Sequence, residues 1–221
     1  MKQISKSAGS LARITCVLFA LLTMAVTAAR ADTYEDMIKA VRMNYGNDVV
    51  ALLKKGVDVN TATKEGETLL MLASKEGHVN IVKTLISAKA RVAARNAYGE
   101  TALMLAALRG HIEIVKLLMA EGAAIDHEGW TPLMYATAKN NLDIMKLLLA
   151  KGAKVDAVAQ NGTTALMMAA REGQLPALLL LMENGANVSY KSADGYSALG
   201  IAKQREQTEI ARILIKAGAK E

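Results

Sequence analysis

The sequence predicts an all-α repeat solenoid of about six helix-turn-helix units, and three observations carry that prediction. A glycine followed two residues later by a hydroxyl recurs at Gly66/Thr68, Gly99/Thr101, Gly129/Thr131, Gly162/Thr164 and Gly195/Ser197. The glycines stand 33, 30, 33 and 33 residues apart, a period that belongs to repeat architectures built of one turn and two helices per unit. Each pair opens the same order of a small apolar segment, a short turn and a segment rich in Leu, Ile and Val. Neither segment can bury its apolar face alone, so the units must stack. A stack of this kind offers a surface for holding another macromolecule and has no chemistry of its own.

Residues 1–31 precede the repeats and read as a signal peptide. Lys2, Lys6 and Arg13 make a basic start, residues 14–26 are mostly apolar, and Ala29-Arg30-Ala31 is an A-x-A-like site. Cleavage after Ala31 leaves Asp32 first. The apolar run is shorter than the roughly 20 residues a bilayer core requires, so a cleaved signal is favoured over a retained anchor. The mature chain is then expected to be exported, periplasmic by preference with secretion as the alternative, and not inserted in a membrane. The only cysteine, Cys16, leaves with the signal, so the mature fold cannot draw on disulfides.

The rest, 32–221, reads as one repeat domain with units at 33–63, 64–96, 97–126, 127–159, 160–192 and 193–221. In the third unit Thr101 stands where an N-cap is wanted, Ala102, Leu103, Ala106 and Ala107 give a narrow apolar face, and Gly110 breaks the helix. Ile114, Val115, Leu117 and Leu118 then share one side of a second helix, which Gly122 ends. Residues 33–60 supply a first cap, with Asp36, Met37, Ala40 and Val41 on one helix and Val49, Val50, Leu52 and Leu53 on the next. Residues 197–221 supply the last, wetted by Arg205, Glu206, Glu209, Arg212 and Lys216.

These units resemble ankyrin repeats. The T-P-L-H-x-A stretch of that family corresponds to Thr68-Leu69-Leu70-Met71-Leu72-Ala73, Thr101-Ala102-Leu103-Met104-Leu105-Ala106, Thr131-Pro132-Leu133-Met134-Tyr135-Ala136, Thr164-Ala165-Leu166-Met167-Met168-Ala169 and a degraded Ser197-Ala198-Leu199-Gly200-Ile201-Ala202. The G-H-x-x-I-V-K-x-L segment is matched by 77–85 and 110–118. The resemblance implies an ankyrin repeat solenoid with β-hairpin-like fingers joining the units and a concave face made of finger tips and first helices.

Departures from the family pattern are informative. Methionine replaces the motif histidine four times and glycine once, which points to apolar packing in place of Thr–His bonding. Asn140 replaces the mid-repeat glycine, and asparagine is the next-best residue for a left-handed turn. Lys89 occupies the position held elsewhere by Gly56, Gly122, Gly152, Gly185 and Gly218. Pro176 falls in the first turn of a second helix, where its missing N–H costs little. Gly122 and Gly129 are seven residues apart where equivalent glycines are ten apart, so one finger is short by three.

Charge and motifs exclude several function classes. The chain holds 27 Lys+Arg against 21 Asp+Glu; removing Lys2, Lys6, Arg13 and Arg30 leaves 23 against 21, a mature charge of +2. Without a basic run or aromatic-basic motif, nucleic acid is not an expected partner. His78 and His111 occupy the repeat's structural position at the start of a second helix, a capping or packing role. His127 stands in the short finger between Asp126 and Glu128, but neighbours in sequence do not make a catalytic set. No H-E-x-x-H or phosphate-binding glycine loop is present. Met71, Met104, Met134 and Met167 recur in register, yet stacked helices stand about 8–10 Å apart, too far for one soft metal ion to join them. Core filling explains them better, and no cofactor, metal or catalytic residue is expected.

What remains is binding. Carried over position by position, the resemblance places Tyr98, Glu100, His127, Trp130 and Tyr196 on fingers and Arg109, Lys139 and Arg171 on first helices as the candidate protein-binding residues. Aromatics and arginines are the types that dominate interfaces. The expected function is a non-enzymatic, monomeric module that binds a partner protein. The alternatives are a secreted effector acting on a host protein and a metal-binding or enzymatic stress protein.

Overall fold

The computed structural model describes residues 33–220; the signal segment lies outside the described residues. Among these the regular structure is helical. Residues 33–42 form α1, followed by α2 (Gly46–Lys54). Compact packing divides the chain after Asp58. The first part buries Met37, Ala40, Val41, Val49 and Leu52.

The part from residue 59 onward holds five helix pairs: α3 (Leu69–Glu76) with α4 (Val79–Ser87), α5 (Ala102–Arg109) with α6 (Ile112–Ala120), α7 (Pro132–Ala138) with α8 (Leu142–Ala150), α9 (Ala165–Glu172) with α10 (Leu175–Glu183), and α11 (Ala198–Gln204) with α12 (Thr208–Lys216). First helices pack on first helices through the series α3, α5, α7, α9 and α11. This is the expected repeat fold.

Local chemistry explains each start. Thr68, Thr101, Thr131, Thr164 and Ser197 are all N-caps, and each hydroxyl accepts from the third amide of its helix at 3.1–3.4 Å, satisfying a donor the helix leaves orphaned. Met71, Met104, Met134 and Met167 are at most 2% exposed and fill the core. In the first of these units apolar packing is not the whole replacement for the motif histidine. The Met71 thioether also accepts from the Thr68 amide at 3.4 Å, a weak bond.

Short helices end in left-handed residues. Gly77, Gly110 and Gly173 close three first helices at φ of +83°, +82° and +69°, and Asn140 takes the same role at +55° as expected. Glu206, read from sequence only as surface, does so at +58°. Lys89 is left-handed at φ +67°, and its side chain is exposed. A Cβ there costs on the order of 1 kcal/mol, and no side-chain contact offsets it. Lys89→Gly is therefore expected to raise stability by a few tenths to about 1 kcal/mol after glycine's larger unfolded entropy is subtracted. Denaturant midpoints measure the change; a lower midpoint for the variant contradicts it.

The fingers carry turns rather than strands. Isolated bridges pair Ala62 with Thr68 and Lys191 with Ser197. Full-length fingers are closed by amide-to-carbonyl bonds from Thr63 to Glu67, Asn96 to Glu100, Ala159 to Thr163 and Ser192 to Tyr196, at 2.8–3.0 Å. Among the described residues no such bond closes the short finger between Gly122 and Gly129.

Side chains at the turns before α6 and α8 also join their units to the one behind. The histidines at the start of second helices do not cap: neither His78 nor His111 makes a side-chain cap bond. Instead His111 Nε2 donates to the Lys75 carbonyl of the preceding unit at 3.2 Å. Asn141, its equivalent one unit on, donates to the carbonyls of Ala107 and Leu108 at 2.7 and 3.1 Å. Both side chains are spent on the unit behind rather than on the amides of their own helix.

Candidate functional site

Two positions per unit lie where fingers meet first helices. One is the residue after the finger glycine: Glu67, Glu100, Trp130, Thr163 and Tyr196. The other is the end of the first helix, where Leu108 and Arg109, Ala138 and Lys139, and Arg171 and Glu172 follow in register. Where the short finger leaves room, an apolar groove of about 240 Å³ opens, lined by Leu108, Trp130, Met134, Tyr135, Ala138 and Met168. It spans three successive units.

The groove has a fixed aromatic wall. Trp130 meets Tyr135 edge to face, with ring centroids 6.1 Å apart and planes at 74°. The Tyr135 hydroxyl donates to Glu100 Oε1 at 2.9 Å, and Asn96 Nδ2 donates to the other carboxylate oxygen at 2.7 Å. Asn96 is itself held, its Oδ1 accepting from the amides of Tyr98 and Glu100. Burial first, then the Glu100 carboxylate, push the Tyr135 phenol well above its ordinary pKa, so it stays protonated and donating.

Of the sequence-predicted residues, Trp130 is half-buried in the groove, and its ring partner is Tyr135. Arg109 and Lys139 are exposed beside it, and Arg171 is half-buried. Tyr98 and Tyr196 are 75% and 57% exposed. Glu100 spends both carboxylate oxygens within the chain, which makes it a positioning residue for Tyr135. Sequence reasoning passed over Tyr135 and Asn96. The signal was present: Tyr135 stands at the register position of Leu72, Leu105, Met168 and Ile201, where a polar tip demands a partner.

His127 is tied within the fingers. Arg95 Nη2 lies 2.6 Å from His127 Nδ1; a guanidinium only donates, so Nδ1 accepts and the ring proton sits on Nε2, a buried atom with no partner. Asp126 accepts from the Lys154 amide of the next unit at 3.2 Å. Burial, then Arg95, lower the His127 pKa, with Asp126 opposing. Among the described residues no three His, Cys, Asp or Glu side chains gather to hold a metal ion.

This predicts a pH dependence. With the folded pKa depressed, the unfolded chain takes up a proton first as pH falls through the ordinary histidine value of 6.5. The contribution of neutral His127 is thus full above that value and is lost below it. Unfolding near pH 7.5 and near pH 5.5 is expected to show a larger acid loss for the parent than for His127→Gln. Equal losses would remove His127 from the account.

The family model of ankyrin repeats (three copies) matches residues 37–128, 90–159, 122–192 and 155–221. A chain in the solved complex of the Bd0816 predatory endopeptidase from Bdellovibrio bacteriovorus with immunity protein Bd3460 is 31% identical. The similarity covers 82% of this chain and 97% of that one, with a TM-score of 0.72. A search of curated proteins finds no match. No helix among the described residues is long and apolar enough to cross a membrane. Stacked helix pairs, hydroxyl caps and left-handed turns in register, together with the family match, make this chain a member of the ankyrin repeat family.

Proposed function

We propose that this chain is an exported, monomeric, non-enzymatic immunity-type protein that binds an endopeptidase through its finger-and-helix face and holds that enzyme inactive. The observation that carries the reading is the Trp130–Tyr135 groove with Arg109 and Lys139 exposed beside it, an apolar center with a polar rim of the kind that anchors protein partners. The similar solved chain comes from a complex of an endopeptidase with an immunity protein, and we read the helical-repeat member of that complex as the immunity protein.

The test is capture from the native compartment with the purified chain as bait, followed by a peptidase assay. Recovery of an endopeptidase whose activity falls at least about tenfold with excess chain is the expected outcome. An endopeptidase that is not recovered, or is recovered and unaffected, refutes the proposal.

Export rests on residues 1–31 and has its own measurement. Intact mass is expected to place the mature N-terminus at Asp32 in a soluble fraction, the periplasm of a bacterium by preference. Full-length chain in washed membranes would instead mean a signal anchor.

A further inference from the structure

A second concavity, of about 370 Å³, lies between the fourth and fifth helix pairs of the part from residue 59 onward. Arg171 in the last turn of α9 and Arg205 at the C-cap of α11 both line it, with Tyr196, Asn161, Ser192 and Gln204. Among the described residues neither guanidinium has a hydrogen-bond or ion-pair partner. Both sit at helix C-termini, whose negative ends favour cations. Asp194 is the one acid among the lining residues, so two positive charges face one negative. A pair of open guanidiniums in a recess is suited to a carboxylate, which it can grip through parallel charge-assisted bonds.

The neighbouring surface says what bears that carboxylate. Met168 of α9 lines the Trp130 groove, and Met167 and Arg171 of the same helix line this recess. The two sites are therefore adjacent, about one inter-helix spacing of 8–10 Å apart. An extended chain covers that in about three residues at roughly 3.3 Å each. An isolated anion would fill only one of them.

We infer that the recess is a carboxylate subsite. An aspartate or glutamate of the partner protein docks between Arg171 and Arg205, about three residues from an apolar side chain seated against Trp130 and Tyr135. This rests on the protein-binding reading of the face but not on the partner's being an endopeptidase.

Trp130 is the only tryptophan in the chain, so its emission reports occupancy of the groove. A phage library of random linear peptides is panned on the purified parent chain, on Arg171→Glu/Arg205→Glu and on Arg205→Glu alone, whose single change is at an exposed position. Thermal melts confirm that each bait is folded. The parent is expected to select peptides with an acid about three residues from Phe, Trp or Leu, and the synthetic peptide shifts Trp130 emission. Replacing its acid by the amide weakens binding to the parent at least about tenfold and does not weaken binding to Arg205→Glu, where the acid would face a like charge. Selected peptides that shift Trp130 emission yet carry no acid, or whose amide counterparts bind equally, overturn the carboxylate subsite alone. Peptides that leave the emission unmoved, or no selected peptides, overturn both this subsite and the binding face on which it rests.

Discussion

Gly77→Ala is expected to destabilise the array by about 2–3 kcal/mol, through a backbone term and a contact between units. The residue is left-handed at φ +83°, which costs an alanine about 1 kcal/mol. The added Cβ would lie 2.6 Å from Cε1 of His111 and 2.9 Å from both ring nitrogens. The ring must move, and moving it strains or breaks the bond from Nε2 to the Lys75 carbonyl, worth about 1 kcal/mol net. Gly185→Ala is the control. Its φ is also +83° and nothing lies within 4 Å of its Cβ, so only the backbone term applies. A double-mutant cycle separates the terms: in a His111→Ala background the cost of Gly77→Ala is expected to shrink to that of Gly185→Ala. An unchanged cost in that background would mean that the ring is not what the methyl meets. The effect reaches beyond one turn, because a repeat array derives its cohesion from contacts between nearest neighbours.

What was legible in the sequence was what a residue does to its own backbone. The cap hydroxyls act on an amide three residues away, and the left-handed turns at Lys89 and Asn140 follow from their register with glycines. Glu206 has the same register relation and was read only for its charge. The binding surface is another matter. Tyr135 reaches Glu100, His111 reaches the Lys75 carbonyl, and Arg171 shares a recess with Arg205, each one unit away in the stack. The period tells which positions face one another, but the rotamer decides whether two side chains meet. His111 illustrates the gap: its position at a helix start suggests a cap, yet its ring turns to the unit behind. The short finger was countable from glycine spacing, whereas the groove it opens depends on Trp130 closing against Tyr135. Candidate residues were thus placed on the right elements, and Glu100 shows why that falls short of a site. Its carboxylate, exposed by position, is consumed in holding the aromatic wall.

Trp130→Ala is expected to weaken binding of the partner protein by at least about 2 kcal/mol, roughly thirtyfold, while costing the fold about 2 kcal/mol. The stability figure follows from its surroundings. A fully buried aromatic loses about 3–5 kcal/mol on truncation, but Trp130 is half-buried, and its specific partner is one edge-to-face contact with Tyr135, worth about 0.5–1.5 kcal/mol. The binding figure follows from the groove, whose other walls are Leu108, Met134, Ala138 and Met168. Truncation replaces a rigid apolar wall with a wide, wetted gap, and an apolar anchor seated there would lose both contact area and its shield from water. Tyr135→Phe is the companion variant. It keeps the ring that Trp130 packs on and removes the hydroxyl bond to Glu100, so it tests whether the wall must be held in place as well as present. Urea unfolding gives the stability of each variant, and titration against the captured partner gives the affinity. A stability loss near 3 kcal/mol with unaltered affinity would make Trp130 a plug for the short finger and move the binding surface elsewhere on the array.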